Sequence, residues 1–419
     1  MNHQYVGTIL AAAAAIGFAQ PSFAATRCVK PGGGSGCYPT ITAAVSAAAP
    51  GDTIYVEHGT YAEDVVIDRP LALVGENRQN TIIDATALLN GINIDGLEHP
   101  GLSDVSVSHF TIENASTEGI LVSNASRVSL FDNRLVDNDR ALAGGSCPVF
   151  VPPDNPPGEA LDCGEGIHLT GVDHSTVSSN IVEGNSGGIL ISDDSGPTHD
   201  NLISGNTVSD NQYDCGITLA SHNPIAPNGV FHNTIAANVS ARNGLKGEGA
   251  GVGLFTPAPG TATYGNVVVG NTIVGNMLPG VAMHSHAPGQ NLNDNQIVAN
   301  YIAGNGPDTA DAATPGPTGI NVFGVTPITG TTISENVIER EDVAIAVRTQ
   351  SNVAAHFNNL SNHRVGVANL GGGAVDATNN WWGCSSGPAG HGCSTVSGPN
   401  VAVTPWLTRP VTIVPPVSR

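Results

Sequence analysis

The chain has 419 residues, with 52 Gly, 28 Pro and 38 Asn, and only 12% of it is charged. So little charge with so much Gly and Asn excludes a helical bundle or coiled coil, and 40% hydrophobic residues exclude a wholly disordered chain. The 14 basic residues against 35 acidic ones give a net charge of −21, the wrong sign for a nucleic-acid binder, which must displace counterions from phosphates.

Val6 to Phe18 form an apolar, Ala-rich run, and Ser22-Phe23-Ala24 places small residues where a signal peptidase reads them. This predicts a signal peptide over 1–24 and a secreted or periplasmic mature chain. No Lys or Arg precedes Arg27, so the usual positive start is missing. The run falls short of the ~20 residues that span a bilayer, and no longer apolar stretch follows, so no membrane span is expected in the mature chain. Seven cysteines fit an oxidising compartment. Cys28 and Cys37 flank a Gly-rich turn, Cys147 and Cys163 bracket a Pro-rich insertion, and Cys384 and Cys393 bracket a second Gly-rich loop. Three short-loop disulfides are expected, with Cys215 left over, and there is no CxxC spacing to suggest a metal instead.

Residues 25–100 read as an N-terminal cap and first coils. Thr40 to Ala48 has helical spacing and small side chains, Pro50-Gly51-Asp52 stops it, and short apolar strands follow at Thr53 to Val56 and Leu71 to Val74. Over 101–378 a motif recurs: Asn, any residue, Val, Ile or Leu, two residues, then usually Asn. It starts at Asn133, Asn180, Asn206, Asn238, Asn271, Asn300, Asn336 and Asn358. Most copies lead into a second short strand, such as Gly188-Ile189-Leu190-Ile191 or Gly280-Val281-Ala282-Met283. Strands this short bury a face only by stacking, which predicts a parallel β-solenoid of about ten coils. The Asn is expected to hold the left-handed corner between strands, with its amide bonded to that of the next coil. The longest insertions fall at 141–165 and 306–318. Residues 379–419 read as a C-terminal cap and tail, with Trp381, Trp382 and Trp406 as an aromatic plug.

The stretch CYPTITAAVSAAAPGDTIYVEHGTYAEDVVIDRPLALVGEN, residues 37–77, resembles the opening of bacterial right-handed parallel β-helix proteins of the pectate-lyase-like superfamily. Asn379-Asn380-Trp381-Trp382-Gly383-Cys384, followed by Gly387-Pro388 and Pro405-Trp406-Leu407, is similar to their closure. The resemblance implies an all-β, single-stranded right-handed β-helix with a short N-terminal capping helix. It selects no single activity, because that superfamily includes polysaccharide lyases, hydrolases, mannuronan epimerases, adhesins and a periplasmic copper-delivery protein. The Asp-Pro-His signature of the alginate epimerases is absent.

Coils aligned on the Gly-Ile-x-Leu strand point their third, fifth and seventh residues outward. The third column holds His168 and Asn321. The fifth reads Ser123, Thr170, Ser192, Ala220, Phe255, His284, Phe323, Arg348, and the seventh Ala125, Val172, Asp194, His222, Pro257, His286, Val325, Gln350. Asp194, His222, His284 and His286 are the candidate catalytic residues, because an imidazole oriented by a carboxylate transfers protons near neutral pH. Phe255, Phe323, Arg348 and His168 are the candidate substrate contacts: aromatics stack on sugar rings and Arg348 neutralises a carboxylate. Asp193, Asp194 and Asp214 are candidate calcium ligands, or the carboxylates of a hydrolase. Glu159, Asp162 and Glu165 are candidates for a cleft wall. His284-Ser285-His286 puts two imidazoles on one strand face, a start for copper or zinc without an obvious third ligand.

The function expected is action on an extracellular polysaccharide or cell-surface glycan, by a lyase, hydrolase or epimerase reaction, with calcium as the cofactor to consider. The alternatives are a non-catalytic glycan-binding, adhesive or surface-structural β-helix and, third, a periplasmic copper-handling protein. Chemistry on uronic acids needs a positive group on the substrate carboxylate, so this acidic chain would lean on calcium or Arg348.

Overall fold

Residues 24–138, 164–225, 229–388 and 390–411 are described by a computed structural model. The signal peptide, the Cys147–Cys163 pair, Glu159 and Asp162 lie outside the described residues. Three parallel sheets of 14, 12 and 11 strands run along the molecule, and successive coils add a strand to each in turn. This is the right-handed parallel β-helix that the repeat and the resemblance predict. The stacked interior consists of apolar residues in register. In the 12-stranded sheet Ile120, Ile167, Ile189, Ile217, Val252, Val281, Ile320 and Ile345 follow one another rung by rung, all buried.

The ends are closed as expected. The helix spans Ile41–Ala47, is capped by the Thr40 hydroxyl, and buries Ile41, Ala44 and Val45 against the first coil. Both Glu63 oxygens accept N–H groups of its first turn, from Ile41 and Thr42, at 2.8 Å each. At the other end only Trp382 is fully buried, while Trp406 packs half-buried against the same core. The disulfides Cys28–Cys37 and Cys384–Cys393 are formed. Cys215 is a buried free thiol.

The Asn repeat forms the ladder expected of it. Asn206 donates its backbone N–H and its Nδ2 to Oδ1 of Asn238, both at 2.9 Å, and Asn238 does the same to Asn271 at 2.8 and 3.0 Å. One part of the expectation is overturned. The left-handed residue of each corner is the one before the Asn: Asp132, Ser179, Gly205, Ala237, Gly270, Ala299, Glu335 and Phe357 all have φ between +53° and +66°. The Asn is selected for its amide, and the turn before it aims that amide inward. A second ladder runs Asn138, Asn185, Asn211, Asn243, Asn276, Asn305 and ends on Glu341. It also explains the Gly of the Gly-Ile-x-Leu strand: a Cβ on Gly216 would stand 2.6 Å from Asn243 Nδ2.

Candidate functional site

The candidate residues lie along the outward face of the 12-stranded sheet. Its fifth column has the predicted register: Ser123, Thr170, Ser192, Ala220, Phe255, His284, Phe323 and Arg348 pair in that order. The seventh column does not exist as a column. The early strands stop at Ser123 and Thr170, the chain turns, and Ala125 and Val172 enter the core.

Two polar groups result, on either side of the rung Val252–Thr256. The first is a hydrogen-bonded chain over four rungs. His168 lies buried, with Nδ1 3.1 Å from Glu118 Oε1 and Nε2 2.9 Å from Ser192 Oγ. Ser192 donates to Asp194 Oδ2 at 2.5 Å, and Asp194 Oδ1 meets His222 Nδ1 at 3.0 Å. Burial pushes Asp194 up, but the imidazoles of His222 and His168 outweigh it and hold its carboxyl at about 2. Held ionised by these imidazoles, Asp194 accepts the Nδ1 proton of His222 and orients its ring. Asp193 is the scaffold beneath. Its carboxylate takes the N–H groups of His222 and Asn223 at 2.7 and 3.0 Å and the Ser221 hydroxyl at 2.8 Å, and burial pushes it up to about 6.

Glu118 escapes notice in the sequence, and Glu165 is read there only as a candidate for the cleft wall. Glu165 is no loop residue: it opens the strand Glu165–Thr170, is buried, and lies with Glu118 and His168 in one cluster. Glu118 Oε2 accepts the Glu165 N–H at 2.9 Å. The signal available was the Glu-Gly-Ile repeated on adjacent coils, at 118–120 and 165–167.

The second group centres on His284, which is buried between rungs. Phe255 and Phe323 meet its ring edge-on, with centroids 5.5 and 5.7 Å away. Its Nε2 stands 2.9 Å from Asn321 Oδ1 and 3.3 Å from Asp308 Oδ2. His286 Nε2 and His284 Nδ1 both face Asp311 Oδ2, at 3.6 and 3.8 Å. Burial lowers His284 below the usual imidazole value despite the nearby Asp308.

The calcium set is not assembled. Asp193 and Asp194 follow the strand Gly187–Ser192, whereas Asp214 precedes the strand Ile217–Ala220 at its opposite end, about 20 Å away along an extended chain. Asp214 instead accepts the N–H of Cys215 at 2.6 Å. Arg348 is exposed, four rungs from His222, about 19 Å at ~4.8 Å per rung. Its Nη1 donates to Ala312 O at 3.3 Å.

Fold and site together define a right-handed parallel β-helix protein with a hydrogen-bonded carboxylate–imidazole chain on one outward sheet. A family model described as periplasmic copper-binding protein (NosD) matches residues 158–333, a part of the chain that holds both polar groups except Glu118. No curated protein matches the chain. Among solved structures, the A-module of Azotobacter vinelandii mannuronan C-5 epimerase AlgE6 is similar at 16% identity and TM-score 0.54, over 89% of this chain and 95% of that one. DFA-IIIase from Arthrobacter chlorophenolicus A6, without its lid, is similar at 15% identity and TM-score 0.54, over 92% and 100%. The catalytic unit of the GH87 α-1,3-glucanase from Streptomyces thermodiastaticus is similar at 14% identity and TM-score 0.50, over 88% and 65%. At such identities these likenesses establish the fold alone.

Proposed function

We propose that this protein is an exported enzyme that processes a neutral glycan on the outward sheet of its middle coils, with His222 as the proton-transfer group. The carrying observation is the Asp194–His222 pair, 3.0 Å apart and continued inward through Ser192, His168 and Glu118. A carboxylate fixed as an anion sets the imidazole's tautomer and stabilises its protonated form, as general acid–base catalysis requires. The β-helix neighbours that act on glycans give this reading its precedent, and the two disulfides favour an oxidising compartment. A neutral substrate is preferred because, among the described residues, no Arg or Lys is paired with His222 or Asp194 to take a uronate carboxylate, and Arg348 is four rungs away.

The test is a screen of neutral glycans and uronans for new reducing ends and for unsaturated products. The active glycan is then retested with Asp194→Asn and His222→Ala. Each substitution is expected to lower kcat by about 10²–10⁴-fold, with the melting temperature of His222→Ala close to the parent's. Unchanged turnover in both variants would overturn the site. Tight glycan binding without any product would favour the non-catalytic reading.

A further inference from the structure

The inserted segment 306–318 brings an exposed carboxylate to two imidazoles that the strand presents together. His284 is buried, His286 is partly exposed and Asp311 is exposed, and one ligand atom from each lies within 4.8 Å of the others. We propose that His284 Nδ1, His286 Nε2 and Asp311 Oδ2 form a three-ligand site for a borderline divalent transition metal of the zinc class.

Three features favour a built site over a chance cluster. The first is spacing. Ligands of a tetrahedral zinc, each about 2.0–2.2 Å from the ion, stand about 3.3 Å apart. The carboxylate oxygen is already 3.6 Å from one imidazole nitrogen and 3.8 Å from the other, so these two edges need only a few tenths of an ångström to close, and one ligand atom from each residue lies within 4.8 Å of the others. The second is support behind the ligand. His284 Nε2 donates to Asn321 Oδ1 at 2.9 Å, which fixes the tautomer that leaves Nδ1 as a lone pair facing the cluster. A ligating histidine commonly has such an outer partner. Asn321 is held in turn by donating Nδ2 to Asp308 Oδ2 at 3.2 Å. The third is the placement of Asp311. Buried Asp308 accepts the N–H of Asp311 at 3.0 Å and that of Ala312 at 3.2 Å, so one carboxylate anchors both the loop ligand and the outer partner of His284.

The donor set decides the class of metal. Two nitrogens and one carboxylate oxygen suit a borderline divalent ion. Cuprous copper prefers soft sulfur, and the residues present do not fit it. Met283 points into the core and is fully buried, and Cys215 is buried with its sulfur accepting the Ala250 N–H at 3.2 Å. The site would hold its metal whether or not the chain turns over a glycan.

The test uses the untagged full chain, freed of metal by chelation and titrated calorimetrically with zinc chloride. One equivalent should bind, and cobalt(II) should give the visible bands of a tetrahedral nitrogen–oxygen site. His286→Ala and Asp311→Ala, both at partly or fully exposed positions, should weaken zinc by more than about 100-fold with the melting temperature of the metal-free chain unchanged. Asn321→Leu, which keeps all three ligands, should weaken it by about 10–100-fold. Zinc affinity unchanged in both His286→Ala and Asp311→Ala overturns the site, and so does binding of well under one equivalent. Tighter binding of copper(I) than of zinc under reducing conditions overturns the assignment of metal class.

Discussion

Glu341 stands where the second ladder would place another Asn. Its carboxylate accepts the backbone N–H of Asn305 at 2.9 and 3.1 Å and the side-chain Nδ2 at 3.0 Å. Burial nonetheless pushes it up to about 7. The folded chain therefore keeps a proton here that the unfolded chain releases from about pH 4.5 upward. The sign follows directly: this group's contribution is greatest below pH 4.5, falls as the pH rises to about 7, and is constant above that. Glu341→Gln keeps an acceptor oxygen and cannot ionise. Its stability relative to the parent should improve between pH 4.5 and 7 by roughly 2 kcal/mol, read from urea unfolding across that range. Parallel pH profiles for the two proteins would show that Glu341 does not carry the buried charge.

At the scale of the element, the unit that repeats is a strand, a left-handed residue and an Asn. Asn238 makes the case for the amide. It accepts from Asn206 N and Nδ2, and its own Nδ2 donates to Ile203 O at 2.9 Å and Asn271 Oδ1 at 3.0 Å. Asn238→Ala removes these bonds and strands the buried Asn206 backbone N–H, while Asn206 Nδ2 keeps Val177 O at 2.9 Å. With about 1 kcal/mol for each lost bond, and more for each stranded group, a cost of about 3 kcal/mol in urea unfolding is expected. A loss below about 1 kcal/mol would mean that the ladder is incidental. The repeat also explains what was legible in the sequence. Period-two alternation fixes which strand residues face out, so the fifth column could be written down residue by residue from Ser123 to Arg348. The seventh failed because a corner begins after Thr170 and redirects Val172 into the core. The corner φ values were assigned one residue late, because Asn is a good left-handed residue and nothing in the sequence shows that its amide is needed elsewhere. Asp194 and His222 were legible as a pair because they follow adjacent strands at the same offset. Asp308 and Asp311 were not, because insertion 306–318 has no counterpart on neighbouring coils to align with. Asp214 was misplaced for the converse reason: closeness in sequence to Asp193 and Asp194 says nothing when a strand separates the two edges of a sheet.

At the scale of the whole molecule, the surplus of 21 negative charges acts on any charged substrate before contact. Among the described residues, several basic groups on the surface are taken up by acidic partners. Arg127 pairs with Asp104 at 2.8 Å and Arg242 with Asp210 at 2.6 Å, both on the surface. A polyanion approaching the outward sheet is repelled over the Debye length, about 30 Å at 0.01 M salt and about 8 Å at 0.15 M. A neutral glycan experiences none of this. Its kcat/KM should stay within about twofold between those two salt concentrations, while any residual turnover of a uronan should rise as salt screens the repulsion. The measurement is initial rates on both polymers across that range. A uronan that is the better substrate at 0.01 M salt would overturn the neutral-glycan reading, because it would require a concentrated positive site that the described residues around His222 do not supply.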